Sequence, residues 1–182
     1  MENTDIKGII FDYGGTIDSR GVHWSEIIWD GYQACSVPVD KATFREAYVY
    51  AERELARTRH ILPHHNFHDL LLIKMRIELQ WLADNGKLGS DAAAVYAQGV
   101  ADYCYDAARN SIADARPTLD ALHERYPMVL VSNFYGNVEA VLEDFGLRHY
   151  FRSIIESAVV GVRKPDPVSY THLRAHETSL HL

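Results

Sequence analysis

Two short apolar runs, separated by a long stretch of helical periodicity, constrain the fold of this chain most. Residues 7–12 and 128–131 have the length and the β-branched content of buried strands. A helical pattern follows the second run over residues 138–145, and a weaker third strand is predicted over residues 151–155. Strands that alternate with helices indicate a parallel sheet with right-handed crossovers. We therefore predict an α/β fold with a Rossmann-like core.

The stretch between the first two strands predicts a helical insertion. Apolar residues recur there at helical spacing in four successive segments, over about residues 23–106. Asp40 is predicted to cap the second helix, and Asn85-Gly86 is predicted to close the third. Four amphipathic helices with short connections indicate a small bundle. A separate helix over residues 117–124, opened by a proline in its first turn, is predicted before the second strand.

Polar residues that could bind a ligand follow both strands. The first strand ends in a lone carboxylate, Asp12, and the chain then turns on Gly14 and Gly15, which let a ligand approach the backbone. In open α/β sheets ligands bind at the carboxyl ends of the strands, and a carboxylate there can act as a nucleophile. Ser132 and Asn133 end the second strand, where a hydroxyl and an amide can donate hydrogen bonds to an anionic oxygen.

A third motif lies near the end of the chain, where residues 161–167 read Gly-Val-Arg-Lys-Pro-Asp-Pro. Lys164 precedes a stiff proline turn, and an ammonium group near carboxylates and a phosphate would neutralise charge in the ground and transition states. The alternative is a solvated basic loop, which is the usual fate of an Arg-Lys pair.

These three motifs resemble, in the same order, the first three signatures of the haloacid dehalogenase superfamily, and the helical insertion lies where members with an α-helical cap carry that cap. The resemblance covers residues 7–167. It implies a discontinuous α/β core at residues 1–18 and 109–168 and a four-helix cap at residues 19–108. It also implies catalytic roles for Asp12, as the nucleophile, and for Lys164, which would orient the nucleophile and the transferred group. The residues that would bind the phosphate are Gly15, Thr16, Ser132 and Asn133.

The same resemblance implies a phosphatase that acts on a small phosphorylated metabolite through an aspartyl-phosphate intermediate. Mg²⁺ would be bound by Asp12 and by the backbone carbonyl of Gly14, because this ion prefers oxygen ligands. A net charge of −7 argues against a nucleic-acid partner, and no apolar run reaches membrane-spanning length. The start of the chain is not that of a signal peptide, and Cys35 and Cys104 are isolated, which is typical of a cytoplasmic protein.

Two departures from the family pattern matter. Phosphatases of the superfamily carry a general acid/base Asp two residues after the nucleophile, where this chain has Gly14; such catalysis contributes about 10²–10⁴-fold in rate. Tyr13 stands one position too early to match the dehalogenase pattern, and the sequence does not place Asp18 at the site. No fourth-signature Asp follows Pro167. Residues 169–182 resemble translated adapter sequence, so we expect a core that is incomplete at its C-terminus, a non-native tail and an inactive chain.

Three alternatives stay open at this point. A dehalogenase-like or a phosphonatase-like hydrolase would work without the second Asp. The phosphonatase would use a cap lysine as a Schiff base, for which the candidates are Lys41, Lys74 and Lys87. A protein that kept the scaffold for binding or regulation and lost catalysis is the third alternative.

A group of histidines in the insertion, His60, His64, His65 and His68, allows two interpretations. It is either a partly exposed loop that leads into the third helix or part of a cap surface that selects the substrate. His64 and His68 have the four-residue spacing that would place them on one helix face.

Overall fold

The computed structural model of this chain describes residues 6–161, without the side chain of Val160. Lys164 and the predicted tail lie outside the described residues. The described strands form one parallel sheet in the order β1-β2-β3. They are β1 (Ile9–Phe11), β2 (Met128–Ser132) and β3 (Ser153–Glu156). The predicted parallel α/β core is therefore confirmed, and its strands end at one common edge.

Four helices lie between β1 and β2 in the chain: α1 (Trp24–Ala34), α2 (Lys41–Arg57), α3 (Phe67–Asp84) and α4 (Ser90–His123). We call α1, α2, α3 and the first half of α4 the helical insert. The predicted cap of α2 is confirmed, because the Asp40 side chain accepts a hydrogen bond from the Thr43 N–H at 2.8 Å. The predicted end of α3 is confirmed as well: Asn85 is its C-cap, and Gly86 follows with a φ of +67°.

The structure corrects the prediction for the segment before β2. Residues 117–124 do not form a separate helix, because α4 runs without interruption through Pro117 to His123. The proline removes one backbone donor from the helix interior. Buried side chains on both sides of it, among them Ile112 and Leu119, hold the helix against the rest of the protein. Packing along this face therefore outweighs the local cost of the proline.

The segment after β2 returns to the sheet through α5 (Val138–Asp144), a 3-10 turn (Arg148–Tyr150) and β3. A short helix, α6 (Ser157–Val160), follows β3 directly. The sheet and the helical insert share one hydrophobic core, in which Tyr13, Phe67 and Phe145 lie next to each other. The two parts are thus joined by packing as well as by the chain.

Two general features of the chain can be read from the described residues. None of their helices is both long enough and apolar enough to cross a membrane. Cys35 and Cys104 are both free thiols; Cys104 is buried and Cys35 is partly buried.

A candidate active site at the carboxyl edge of the sheet

Asp12 directly follows β1 and is exposed, so its carboxylate stands at the carboxyl edge of the sheet. The chain turns back immediately after it, because the amides of Thr16 and Ile17 both donate to the Tyr13 carbonyl, at 3.1 and 3.0 Å. The Tyr13 N–H donates to Asp12 Oδ1 at 2.9 Å. This turn leaves the carboxylate at the position where α/β sheets bind their ligands.

Asp18 supports this turn from the inside of the protein. It is fully buried. One oxygen accepts the Gly15 N–H at 2.7 Å, and the other accepts the indole N–H of Trp24 at 2.9 Å. Burial raises the pKa of Asp18 to about 7, the two hydrogen bonds oppose this rise, and the charge of Asp12 adds to it. Because both oxygens are engaged and no solvent reaches them, Asp18 does not replace the acid/base that is missing at Gly14.

The two glycines of the turn serve different purposes. Gly15 has a φ of +81°, a backbone conformation that a side chain would strain, and this conformation directs its N–H to Asp18. Gly14 is under no such constraint, and a Cβ added there would meet no atom within 4 Å. Beside Asp12, therefore, the space for a side chain at position 14 is open. Thr16, the last predicted phosphate-binding residue of this turn, is exposed.

Ser132 and Asn133 reach the same edge at the end of β2. Ser132 is only 1% exposed, and its hydroxyl has no hydrogen-bond partner among the described residues. Leaving such a group without a partner costs about 1–3 kcal/mol, so this hydroxyl is suited to an oxygen of a ligand. Asn133 is exposed. The structure thus brings Ser132 and Asn133 to the edge that carries Asp12, whereas Lys164 lies outside the described residues.

Glu156 is a carboxylate at this edge that the sequence analysis did not identify. It is paired in register with Ser132 at the end of β3 and is 5% exposed. Its carboxylate accepts the N–H groups of Gly136 and Val138, at 2.5 and 3.2 Å. Burial raises its pKa, against the effect of these bonds. Glu156 therefore anchors residues 133–137, which we call the β2–α5 loop; its only sequence signal is its place after the third predicted strand.

An aromatic contact joins the β2–α5 loop to the turn after Asp12. The fully buried ring of Tyr13 meets Phe134 edge-on, with 5.6 Å between the ring centroids, and meets Phe67 in the same way at 6.3 Å. Because Phe134 directly follows Asn133, this packing fixes the two loops relative to each other. Tyr13 points into the protein and does not face the candidate site.

An open cleft of about 1410 Å³ lies between the β2–α5 loop and the helical insert. Its wall on the side of the sheet is formed by the β2–α5 loop, by Glu139, Ala140 and Glu143 of α5, and by Glu156 with residues after it. Asn133 lines the cleft, whereas Asp12 and Ser132 do not, so the cleft lies toward β3 rather than toward β1. The wall on the side of the insert is rich in basic and imidazole groups: Arg53, Arg57, Arg59, His60 and His64.

The four histidines of the insertion do not act as one group. His64 lies before α3, which begins at Phe67, so the four-residue spacing does not place His64 and His68 on one helix face. His68 contacts Asp102 of α4 at 2.6 Å. Within the group, only His60 and His64 line the cleft. The substrate-selecting interpretation therefore concerns these two residues alone.

The three lysines considered for a Schiff base differ sharply in their surroundings. Lys41 forms an ion pair with an acidic neighbour at the surface, and Lys87 is exposed. Lys74 is buried and forms an ion pair with Glu52. Burial by itself lowers the pKa of Lys74, but Tyr135 and Glu52 outweigh this effect and raise the pKa above its ordinary value. A lysine held in the protonated form is a poor nucleophile, so Lys74 is not suited to Schiff-base chemistry.

The candidate site offers part of a magnesium site. Asp12 contributes an exposed carboxylate, and the exposed backbone of Gly14 lies two residues further on. Mg²⁺ commonly binds through one or two carboxylates and keeps several water ligands, so this donor set fits the ion. Across residues 6–161 there is no group of three or more His, Cys, Asp or Glu residues placed to hold a metal.

A parallel sheet, a helical insert after its first strand and a carboxylate at its carboxyl edge define an α/β protein with a candidate site at the ends of its strands. A family model described as haloacid dehalogenase-like hydrolase matches residues 6–176. The chain belongs to this family of hydrolases. The match includes the first residues of the predicted foreign tail, whose origin stays a prediction. A search of curated proteins found no match.

Two solved structures that are similar to this chain can be compared with it. The HAD-hydrolase YfnB from Bacillus subtilis, a structure with bound magnesium, has a TM-score of 0.51 at 14% identity, over 92% of this chain and 70% of YfnB. L-2-haloacid dehalogenase from Xanthobacter autotrophicus has a TM-score of 0.49 at 18% identity, over 94% of this chain and 64% of the dehalogenase. The chain thus spans about two thirds of the length of these proteins. At such low identity, the likeness to YfnB is one of fold.

Proposed function

We propose that this chain carries the nucleophile and the anion-binding residues of a phosphatase that acts on a small phosphorylated metabolite. The observation that carries the proposal is the pairing, at one sheet edge, of an exposed carboxylate with a buried hydroxyl that lacks a partner among the described residues. These groups belong to Asp12 and Ser132. The carboxylate can attack phosphorus, and the hydroxyl can donate a hydrogen bond to a phosphoryl oxygen.

The proposed reaction has two displacements at phosphorus. An Asp12 carboxylate oxygen attacks, the bond from phosphorus to the leaving oxygen breaks, and an aspartyl phosphate forms. Water then attacks phosphorus, releases inorganic phosphate and restores the carboxylate. Ser132 and Asn133 would donate to the phosphoryl oxygens, and Lys164 would balance their charge. Mg²⁺, held by Asp12 and the Gly14 carbonyl, would supply additional positive charge when bound.

The open space at Gly14 supports a particular group of substrates. A departing alkoxide must take a proton, and the position that supplies this proton in phosphatases of the family has no side chain here. We therefore propose substrates whose leaving groups need little protonation, such as acyl phosphates, aryl phosphates or phosphoanhydrides. The arginines on the insert wall of the cleft support binding of an anionic small molecule on that wall, since the facing wall carries Glu139, Glu143 and Glu156. The net charge of −7 argues against a nucleic-acid partner. The two free thiols support a cytoplasmic location.

Turnover of p-nitrophenyl phosphate tests this proposal, because its leaving group departs without a proton. The assay is run with and without Mg²⁺ on the 182-residue chain and on the longest reading frame that contains it. We expect Asp12→Asn to abolish turnover and Asp91→Asn, at an exposed position on α4, to leave it unchanged. Equal turnover by Asp12→Asn and the parent would exclude the nucleophile. Binding of phosphate without turnover would favour a non-catalytic protein.

The open space at Gly14 also supports a second candidate, the displacement of halide from a 2-haloacid. A halide leaves without a proton, so this reaction has no need of an acid at position 14. Release of halide without Mg²⁺, abolished by Asp12→Asn, would establish this activity in place of phosphate transfer. A phosphonatase is the weaker candidate, since Lys74 is held protonated. Borohydride trapping with phosphonoacetaldehyde tests it directly.

A further inference from the structure

A polar network joins the β2–α5 loop to the helical insert. It consists of Tyr135 on the loop, Glu52 on α2 and Lys74 on α3, and we call it the Glu52 network. The Tyr135 hydroxyl donates to the Glu52 carboxylate, with distances of 3.3 and 3.4 Å to its two oxygens. The Lys74 ammonium forms an ion pair with the same carboxylate. Three separate elements therefore meet at one side chain, at the wall of the cleft.

Lys74 is the fixed member of this network. Its side chain is 5% exposed, whereas that of Glu52 is 37% exposed. The ammonium also lies over the ring of Tyr48, 4.5 Å from its centroid. A buried ammonium is strongly destabilising without a partner, so the ion pair with Glu52 is retained and restrains both side chains. Glu52 is thereby presented to the loop as an acceptor with a set position.

The β2–α5 loop is held by side chains of both the sheet and the helical insert. At the end of β3, Glu156 accepts the N–H groups of Gly136 and Val138. On the insert, Glu52 accepts the Tyr135 hydroxyl, and the His65 carbonyl accepts the Asn137 side-chain amide at 2.9 Å. The loop is thus anchored by several contacts. Such anchoring has a clear use in a loop that begins directly after Ser132, because a phosphate-binding group is effective only when its position is fixed.

We propose that Tyr135, Glu52 and Lys74 are positioning residues that fix the β2–α5 loop for binding of the phosphoryl group. None of the three is required to touch the reacting atoms. The proposal deepens the proposed function and rests on it where it concerns phosphate binding. That the network orders the loop can be tested independently of any activity.

Amide hydrogen exchange of Tyr135→Phe tests the ordering of the loop, since this variant removes only the hydroxyl. We expect the amides of Gly136 and Val138 to exchange about fivefold faster, which corresponds to the loss of about 1 kcal/mol for one hydrogen bond. Tyr105→Phe is the matched control, because the Tyr105 hydroxyl also joins the insert to the sheet side, through Asp144 at 3.1 Å. Equal loop exchange in Tyr135→Phe and the parent, or an equal rise in Tyr105→Phe, would overturn the proposal.

Variants of Glu52 test the order of the network. Glu52→Gln keeps an acceptor for the tyrosine hydroxyl, so we expect it to restore loop protection relative to Glu52→Ala. The double variant Tyr135→Phe/Glu52→Ala should exchange no faster than Glu52→Ala alone, because both changes break the same link. Additive effects would show that the two residues act separately and would contradict the network. If Glu52→Ala does not fold because Lys74 loses its partner, the result for Tyr135→Phe alone still decides.

Binding of inorganic phosphate, followed by calorimetry, provides the functional measurement. We expect Tyr135→Phe to weaken binding by about fivefold and Tyr105→Phe to leave it unchanged. If the parent binds phosphate and both variants bind it equally, the positioning role is wrong while the proposed function stands. If the parent binds no phosphate, the proposed function fails, and hydrogen exchange alone determines whether the network orders the loop.

Discussion

Gly14 is the residue at which the candidate site is furthest from that of a complete phosphatase. Its backbone conformation does not demand glycine, and a Cβ there would meet nothing within 4 Å. A carboxylate can therefore be introduced without disturbing the turn. We predict that Gly14→Asp increases the hydrolysis of alkyl phosphates about 10²-fold, the lower end of the range for general acid–base catalysis.

Steady-state rates for an alkyl and an aryl phosphate, measured on the longest reading frame that contains the chain, check this prediction. The gain should be larger for the alkyl phosphate, whose leaving group needs the proton. Gly14→Asn has nearly the same size but no acid, so it should show no gain. Equal rates for the two variants would mean that position 14 does not face the leaving group.

Asp18 makes stability depend on pH in an identifiable way. Its pKa in the folded protein, about 7, is above the ordinary value of 3.8, because the carboxyl is buried. The folded state therefore binds this proton more tightly than the unfolded state does. The stabilisation that protonated Asp18 adds to the free energy of unfolding is fully present below about pH 4 and is lost as the pH rises through 7. We predict that Asp18→Asn reduces the fall in unfolding free energy across this interval by up to about 1 kcal/mol per pH unit.

Urea unfolding between pH 4 and 8 measures this slope. Glu78, whose burial raises its pKa to about 7, adds a slope of the same sign that the variant leaves in place. In Asp18→Asn the side-chain NH₂ group faces one of the N–H donors that Asp18 accepts, which lowers stability at every pH. The slope, and not the absolute stability, is therefore compared. The exposed Asp91→Asn serves as the control. A slope unchanged by Asp18→Asn would contradict a buried Asp18 carboxyl with a raised pKa.

Among the described helices, α4 is unusual because it has a proline, Pro117, in its interior. Pro117 lies on the exposed side of the helix interior and cannot donate to the carbonyl one turn earlier. We predict that Pro117→Ala raises the free energy of unfolding by about 1–3 kcal/mol, since it restores this bond and removes the clash of the ring. Denaturant unfolding measures the change. Pro127→Ala, which lies outside any helix, should bring no gain, and an equal gain there would refute the explanation.

The elements that were predicted correctly carry their signals within a few residues. Asp40 caps α2 through an amide three residues away, and Gly86 ends α3 with a local left-handed turn. The path of α4 through Pro117 was not predictable in this way, because it depends on side chains that pack against distant parts of the chain. Local propensity favours a helix start at a proline, and only the packed face of the helix overrules it.

In the candidate site, too, some features could be predicted from the sequence and others depend on contacts that only the structure shows. Asp12 and Ser132 were predicted to share the edge of a parallel sheet, because residues that end parallel strands must do so. The roles of Asp18 and Glu156 were not predicted. Both are carboxylates that accept backbone N–H groups from a neighbouring turn or loop, and nothing in the sequence distinguishes them from exposed acids. The link between Tyr135 and Glu52 joins residues that are far apart in the chain, so only the structure could reveal it.

At the scale of the whole molecule, the sheet and the helical insert should unfold together. Phe67 of the insert is 2% exposed and contacts the rings of Tyr13 and Phe145, which belong to the sheet side. We predict that Phe67→Ala lowers the unfolding free energy by about 3–5 kcal/mol, the range for truncating a buried phenylalanine. It should do so in one transition, because the core that it weakens is common to both parts.

Two probes distinguish joint from separate unfolding. All three tryptophans lie in the insert, at positions 24, 29 and 81. Because Trp24 contacts both Phe67 and Asp18, the measurement is made in a Trp24→Phe background, in which Trp29 and Trp81 report on the insert. Amide exchange in β2 reports on the sheet. In Phe67→Ala, the stability measured by fluorescence and the stability measured by amide exchange in β2 should fall by the same amount. In Val95→Ala, whose side chain is 73% exposed, neither should change. A change in fluorescence without a change in β2 would mean that the two parts unfold independently.

The uninterrupted course of α4 limits how the cleft can change its width. The chain leaves the sheet through a series of turns at residues 14–21 but returns to it along a single helix of 34 residues, about 51 Å long at 1.5 Å per residue. These two connections differ greatly in stiffness. A swing of the insert away from the sheet would break helical hydrogen bonds, whereas a rotation about the axis of α4 would leave the helix intact but displace the packing of Phe67 against Tyr13 and the contact of Tyr135 with Glu52. The stiffer of the two connections between sheet and insert is therefore a secondary-structure element, so the width of the cleft is limited by a helix rather than by a pair of flexible linkers.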